Sequence, residues 1–229
     1  MDSNSRMLQG LVRLRDLGFQ PEGILDVGAY DGDFSRGARE IFRDAHILMI
    51  EAMAEKSATL ASVCRELGNA EHLVTLVGEK EVDDVSFFVV NTELRPDLVK
   101  TGSSKYKENA NFPTEERALP QRTLQSILAS RNASFELLKL DVQGAELDVI
   151  RGLGCRLSTV EVILIELSLV EYNKGAPLIA TVLSELSKIG FVLYDIVEEH
   201  RHWSGCLLQI DGLFVRSSSP FRLHPPFWN

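Results

Sequence analysis

Two segments of the chain pass from an apolar run into an acidic residue and then into a glycine-containing turn. One spans residues 24–32 and the other spans residues 137–144. Open α/β sheets bind their ligands at the carboxyl ends of the strands, where such turns lie. The pair of segments therefore predicts an α/β sheet with a ligand site at one edge, and the acids and glycines together indicate a nucleoside-type cofactor.

Apolar runs alternate with helical periodicity over the first third of the chain. This β-α-β-α-β order predicts a parallel sheet with right-handed crossovers and helices on both faces. The predicted elements are a leading helix at 3–18, strands at 24–27, 46–50 and 73–77, and helices at 32–42 and 54–67.

The pattern is interrupted after residue 77 and then resumes. We expect an extra strand or hairpin at 85–90, and the polar segment 91–121 is a candidate substrate lid or a surface loop. Strands at 191–197 and 207–215 must pair antiparallel, because the eight-residue connection at 198–205 leaves no room for a crossover helix. The other elements predicted are helices at 123–130, 145–151 and 176–189 and strands at 135–140 and 160–165. We expect one domain over 1–216 and a C-terminal tail at 217–229.

Composition narrows the function classes. The net charge of −9 argues against a nucleic-acid binder, since such binding depends on cationic side chains that neutralise phosphates. Three widely spaced cysteines indicate reduced thiols rather than a metal site. The longest apolar runs contain acids and are too short to span a bilayer, and no signal-peptide pattern is visible. We expect a cytoplasmic protein.

The first turn has the spacing Asp26-x-Gly28-x-x-x-Gly32. Glycines let the backbone approach a ligand closely, and a helix N-terminus after the turn favours an anionic group. The spacing fits a dinucleotide-binding turn poorly, and Asp26 suits a cationic portion of a ligand. Glu51 ends the second strand, where a carboxylate binds ribose hydroxyls in dinucleotide folds. An NAD-dependent oxidoreductase remains an alternative at this point.

Residues 138–146 read L-K-L-D-V-Q-G-A-E. This segment resembles the K-I-D-V-E-G-A-E signature of the FkbM family of class I S-adenosylmethionine-dependent methyltransferases. Residues 122–128 resemble a T-L-D segment upstream of that signature, and residues 102–104 and 212–216 also fit. Gln143 and Gln125 stand where the family usually has Glu and Asp, so each position has lost a charge.

The resemblance implies a Rossmann-like, mostly parallel seven-stranded sheet with an antiparallel last strand, and S-adenosylmethionine as the cofactor. It implies that the turn binds the methionine end, that Glu51 binds the ribose and that the adenine lies between residues 52–53 and the turn after Val77. The cofactor-binding residues expected on this basis are Asp26, Gly28, Ala29, Tyr30, Gly32, Glu51, Ala52, Met53 and Asp141.

Methyl transfer requires a nucleophile aimed at the methyl carbon, and a hydroxyl acceptor must lose its proton. Asp141 is the first candidate for the base and Glu166 the second, followed by His200 and His202. A divalent cation could lower the pKa of the hydroxyl instead. The leading prediction is an O-methyltransferase acting on a sugar, glycan or natural product. Methylation of nitrogen or of another small molecule, and a non-catalytic module, are the alternatives. Asp148 is expected to face solvent.

Overall fold

The computed structural model describes residues 3–93, 102–109 and 113–222. These residues form ten β-strands and six α-helices. The strands are β1 (Gly23–Val27), β2 (His46–Glu51), β3 (Ala70–Val74), β4 (Leu76–Val77), β5 (Val82–Val90), β6 (Thr114–Arg122), β7 (Leu137–Leu140), β8 (Val162–Ser168), β9 (Phe191–Arg201) and β10 (Leu207–Arg216). The helices are α1 (Ser3–Asp16), α2 (Asp33–Ile41), α3 (Ser57–Leu67), α4 (Leu124–Ile127), α5 (Glu146–Gly152) and α6 (Ile179–Lys188).

Seven strands form one sheet in the order β3-β2-β1-β7-β8-β10-β9. β10 runs antiparallel to both of its neighbours, and the remaining pairs are parallel. The turn between β9 and β10 is too short for a crossover helix, so the two strands form a hairpin. The predicted mostly parallel seven-stranded sheet with an antiparallel last strand is confirmed.

Helices cover both faces of this sheet. Side chains of α1–α3 such as Leu14 and Leu60 pack on one face, and side chains of α5 and α6 such as Leu147 and Leu186 pack on the other. Every residue of β1 is buried as a result, which explains why the strand reads as a continuous apolar run around Asp26. No helix in the described part of the chain is long and apolar enough to cross a membrane.

The single strand predicted at 73–77 is corrected to two. After β3 the backbone N–H of Thr75 donates to the carbonyl oxygen of Glu51, and the chain then leaves the main sheet. β4 joins a separate three-stranded sheet in the order β4-β6-β5. Met53, Leu76 and Phe87 form a small apolar cluster beside this sheet.

The predicted insertion at 91–121 is only partly a loop, because residues 114–121 lie in β6. The sequence predicts a loop here because only one side chain of β6, that of Gln121, is buried, and no apolar pattern marks the strand. Arg117, for example, forms ion pairs with Glu55 and Glu115, while Leu119 packs against the small apolar cluster. Residues 94–101 and 110–112 of the predicted lid lie outside the described residues.

Residues 102–109, called the strap below, cross between β5 and the loop after β8. Ser104 forms an antiparallel bridge with Phe88, and Glu108 forms one with Asn173. The backbone N–H of Asn109 also donates to the carbonyl oxygen of Tyr172. The strap is therefore fixed at both ends across the carboxyl edge of the sheet.

The described part of the predicted tail, residues 217–222, packs against the domain. The Phe221 ring lies 5.8 Å from the Phe19 ring, and Ser219 is buried. These residues cover one end of the apolar layer formed with α1 and α2.

Candidate active site

A cleft of about 630 Å³ opens at the carboxyl ends of β1, β2 and β7. It brings together residues that are far apart in sequence, from the turn after β1, the end of β2, the strap and the turn after β7. Its lining residues are Val27, Gly28, Tyr30, Ile50, Glu51, Ala52, Met53, Thr75, Leu76, Val77, Phe87, Ser103, Lys105, Asp141, Val142 and Ala145. Six of the residues predicted to bind the cofactor are in this list.

The turn after β1 requires glycine at position 28. Its φ is +80°, and a Cβ there would lie 1.9 Å from the carbonyl oxygen of Asp141. The N–H groups of Gly28 and Ala29 both donate to the carbonyl oxygen of Ile50, at 2.9 and 3.1 Å. The turn is thus held between β2 and β7, and its backbone forms one wall of the cleft.

Glu51 is buried at the end of β2 and is held by two backbone groups. Tyr30 N donates to Oε2 and Met53 N donates to Oε1, each at 2.9 Å. Burial raises the pKa of Glu51, and the hydrogen bonds from Met53 and Tyr30 partly offset that rise. The two hydrogen bonds orient the carboxylate at the cleft. Each of its oxygens has a second lone pair, so the group can still accept further hydrogen bonds.

Asp26 lies beneath the cleft instead of lining it. Its carboxylate is fully buried and accepts a hydrogen bond from the Ser35 hydroxyl at 2.7 Å. The Lys139 ammonium is 3.5 Å from Asp26 Oδ1 and 3.5 Å from Asp141 Oδ2, and it donates to the Gly28 carbonyl oxygen at 3.1 Å. Burial opposes the charge of Lys139, but the carboxylates of Asp141, Asp26 and Asp211 outweigh it and raise its pKa.

Two other predicted cofactor residues also lie outside the cleft lining. Ala29 is buried in the apolar layer with Phe34. Gly32 precedes α2 with a φ of +77°, and a Cβ there would meet the Val63 side chain at 3.0 Å. Ala29 and Gly32 shape the turn and its packing, and neither faces the cleft.

Four side chains form a hydrogen-bonded group beside the cleft, which we call the acid corner: Asp141, Gln143, Glu166 and Gln209. The Gln143 side-chain amide donates to Asp141 Oδ1 at 2.9 Å and to Glu166 Oε1 at 3.0 Å. The Gln209 amide donates to the same Glu166 oxygen at 2.8 Å. Burial raises the pKa of Glu166 well above its ordinary value, and the carboxylates of Asp141, Asp211 and Glu146 raise it further.

The two predicted histidines are in different settings. His200 lies within β9, and its Nε2 is 2.8 Å from Asp211 Oδ2. This hydrogen bond raises the pKa of His200 against the effect of its partial burial. Asp211 is paired with Glu166 in the sheet, so His200 lies toward the acid corner. His202 is exposed in the β9–β10 turn, where its Nδ1 is 2.8 Å from Ser204 Oγ.

Glu146 is a functional candidate that the sequence analysis did not single out. It is buried at the start of α5, and its Oε1 accepts from the backbone N–H groups of Val142 and Gly144 at 3.2 and 3.0 Å. Burial raises its pKa to about 7 even though these bonds oppose the rise. Glu146 therefore fixes the turn that carries Gln143.

Asp148 corrects another expectation, because its side chain is largely buried instead of facing solvent. It forms ion pairs with Lys105 and Arg151, and the Tyr106 hydroxyl donates to it at 3.3 Å. Burial and the nearby Asp148 raise the pKa of Tyr106 to about 12. Asp148 thus ties α5 to the strap and positions Lys105 at the cleft.

Comparison with known proteins decides the family. The sequence profile of the methyltransferase FkbM domain matches residues 26–193. The chain belongs to the FkbM methyltransferase family. Members of this family depend on S-adenosylmethionine, which favours the methyltransferase prediction over an NAD-dependent oxidoreductase. No curated protein matches this FkbM methyltransferase in sequence.

Solved structures show the same fold at low sequence identity. The bifunctional kinase-methyltransferase WbdD aligns with a TM-score of 0.53 and 15% identity, over 95% of this chain and 40% of WbdD. PH1948 from Pyrococcus horikoshii, a proposed RNA methyltransferase, aligns with a TM-score of 0.50 and 11% identity, over 95% of this chain and 83% of PH1948. These likenesses support the Rossmann-like fold of this FkbM methyltransferase.

The residues of the cleft fit S-adenosylmethionine. Glu51 has oriented carboxylate oxygens that can accept hydrogen bonds, as ribose hydroxyls would require, and Met53, Val77 and Phe87 provide apolar surface that could pack on a flat base. Asp141 adds a carboxylate that suits a sulfonium. Among the described residues, no group of three or more His, Cys, Asp or Glu side chains could hold a metal ion.

Proposed function

We propose that this FkbM methyltransferase is an S-adenosylmethionine-dependent O-methyltransferase that acts on a hydroxyl of a sugar, glycan or natural product. The observation that carries the proposal is the position of Asp141. Its side chain lines the cleft, is 42% exposed and belongs to the acid corner as well. One carboxylate therefore adjoins both the cofactor cleft and the region where an acceptor would lie.

In this proposal the cofactor supplies a methyl group bound to a positively charged sulfur. Glu51 would accept hydrogen bonds from the ribose, and Ala52, Met53 and Val77 would contact the adenine. The Gly28 turn would bind the methionine end. Asp26 and Lys139 would support this turn from beneath the cleft. The Lys139 ammonium donates to the Gly28 carbonyl oxygen and forms ion pairs with Asp26 and Asp141.

Asp141 would accept the proton of the acceptor hydroxyl as that oxygen forms its bond to the methyl carbon. The bond between that carbon and the sulfur would break, and its electron pair would remain on the sulfur of the departing thioether. Its ion pair with Lys139 and its hydrogen bond from Gln143 fix the carboxylate in one orientation. A positioned base of this kind contributes about 10²–10⁴-fold to the rate of such reactions. His200, paired with Asp211, is the second candidate, since it lies toward the same corner.

Two substitutions separate binding from chemistry. Titration calorimetry should show S-adenosylmethionine binding to the wild type, and Glu51→Ala should weaken it by about tenfold or more because two backbone N–H groups and the ribose lose their acceptor. A mass-spectrometric screen of sugars and polyketide alcohols would identify a product one methyl group heavier.

With that acceptor, Asp141→Asn should lower turnover by about 10²–10⁴-fold. Asp83→Asn, at an aspartate that is 96% exposed, is the matched control and should keep wild-type turnover. Wild-type turnover by Asp141→Asn would remove Asp141 from the proton transfer. A methylated amine as the only product would replace O-methylation with N-methylation.

A further inference from the structure

In the acid corner, the side-chain amides of Gln143 and Gln209 form different sets of hydrogen bonds with the carboxyl groups of Asp141 and Glu166. Gln143 donates once to each of them, whereas Gln209 donates to Glu166 and not to Asp141. The Gln209 amide also donates to the Ser168 hydroxyl at 3.4 Å. Oε1 of Glu166 therefore accepts two N–H groups, at 3.0 and 2.8 Å. A protonated carboxyl group has one accepting oxygen and one donating oxygen, so this arrangement leaves Oε2 to carry a proton.

The distribution of charge around the corner favours the same assignment. Lys139 is the buried cation there, and it lies 3.5 Å from Asp26 and 3.5 Å from Asp141. Asp211 is paired with His200. Glu166 has neutral amides as its hydrogen-bonding partners and carboxylates nearby, and close carboxyl groups cannot all ionise.

We infer that Glu166 is a protonated hydrogen-bond donor that recognises a second oxygen atom on the acceptor, while Asp141 takes the proton from the hydroxyl that is methylated. Gln143 and Gln209 are the positioning residues that hold Glu166 in this form. The inference rests on the proposed function and names the acceptor class more narrowly. The acceptor is not anionic and carries an oxygen close to the reacting hydroxyl, as polyhydroxyl compounds do.

Two distances support this class of acceptor. Asp141 Oδ1 and Glu166 Oε1 lie 2.9 and 3.0 Å from the same nitrogen, so the two carboxyl groups are within about 6 Å of each other. Glu166 is only partly buried, so part of the residue is accessible to solvent. An isolated alcohol would leave this donor unused, and an acceptor phosphate would meet the carboxylates of Asp141 and Asp211.

The first test measures the binding of small probes to the full chain saturated with S-adenosylhomocysteine. Saturation-transfer NMR would compare trans-1,2-cyclohexanediol with cyclohexanol, which lacks the second oxygen. We expect the diol to bind about fivefold more tightly, as one additional net hydrogen bond provides. Glu166→Gln should keep this preference, because its amide can accept at Oε1 and donate through its nitrogen. Glu166→Leu should lose it.

The second test is spectroscopic and needs no acceptor. The infrared difference between the wild type and Glu166→Gln at neutral pH should show a protonated carboxyl C=O band. The difference isolates Glu166 from the buried carboxyl groups, such as those of Glu108 and Glu146. Asp83→Asn is the control and should give no such band.

Each outcome decides between the two proposals. Equal binding of the two probes, or loss of the preference in Glu166→Gln, would overturn the assignment of Glu166 as a neutral donor, as would the absence of the carboxyl band. Absence of S-adenosylhomocysteine binding by the wild type would instead overturn the proposed function, and this inference with it.

Discussion

Replacement of Glu146 by glutamine tests how a buried carboxyl group supports the active site. Oε1 of Glu146 accepts from the backbone N–H groups of Val142 and Gly144, on either side of Gln143. Glutamine keeps an accepting oxygen of the same size at this point and removes the charge. The substitution therefore leaves the turn bonded while it abolishes the titration of residue 146.

The magnitude follows from the pKa of Glu146, which burial raises from 4.5 to about 7. Between these values the folded chain retains a proton that the unfolded chain has released, so its stability falls as the pH rises. Each pH unit of this interval costs about 1.4 kcal/mol, which gives an upper limit of about 3 kcal/mol in total. The Glu146→Gln variant does not show this loss of stability, because residue 146 no longer titrates.

Urea denaturation followed by far-ultraviolet circular dichroism, at several values between about pH 4.5 and pH 8, provides the assay. As the pH rises over this range, the unfolding free energy of Glu146→Gln relative to that of the wild type should increase by up to about 3 kcal/mol. Glu136→Gln is the matched control, since Glu136 also accepts two backbone N–H groups, from Glu22 and Gly23, at the surface. A difference between Glu146→Gln and the wild type that stays constant with pH would refute the reasoning.

Two other substitutions test the floor of the cleft. Gly28→Ala should lower S-adenosylhomocysteine affinity by more than about tenfold in calorimetry, because its Cβ would displace the backbone at Asp141. Gly68→Ala has the same φ of +80° with nothing within 4 Å, so affinity should be unchanged, and an equal loss in both would refute the contact argument. Lys139→Met should cost about 3–5 kcal/mol of unfolding free energy by leaving Asp26 buried without its partner. Adding Asp26→Asn should recover most of that loss in urea denaturation, and a loss below about 1 kcal/mol would contradict the assignment.

The sheet was predictable from sequence because its central strands are buried on both faces. β1 and β7 therefore read as short apolar runs, and the acids at their ends stand out against them. The antiparallel pairing of β9 and β10 followed from a connection too short for a helix. These are local signals, each contained within a few neighbouring residues.

The acid corner could be predicted only in part, because its geometry depends on contacts between distant residues. Asp141 and Glu166 were identified by their positions near strand ends. Gln209 meets Glu166 only because β10 is inserted beside β8, which pairs Gln209 with Ser168. Asp148 was misread because its partner, Lys105, lies on the strap, in a polar segment without a periodic pattern.

The turn after β7 shows how the two halves of the site are joined. Gln143 has a φ of +54°, a left-handed conformation that costs a residue with a side chain free energy unless its surroundings enforce it. Here the enforcement comes from several directions. The Ser104 hydroxyl donates to the Gln143 carbonyl oxygen at 2.8 Å, the Asn173 amide donates to the same oxygen, and Glu146 binds the N–H groups on either side.

These bonds direct the Gln143 side chain at Asp141 and Glu166. Since Ser104 belongs to the strap and Asn173 to the loop after β8, the position of the amide depends on both segments being in place. The strap thus contributes Ser103 and Lys105 to the cofactor cleft and, through Gln143, also sets the arrangement of the acids that would face the acceptor. A change in the strap should therefore affect cofactor binding and acceptor chemistry together, even though the strap is distant in sequence from both.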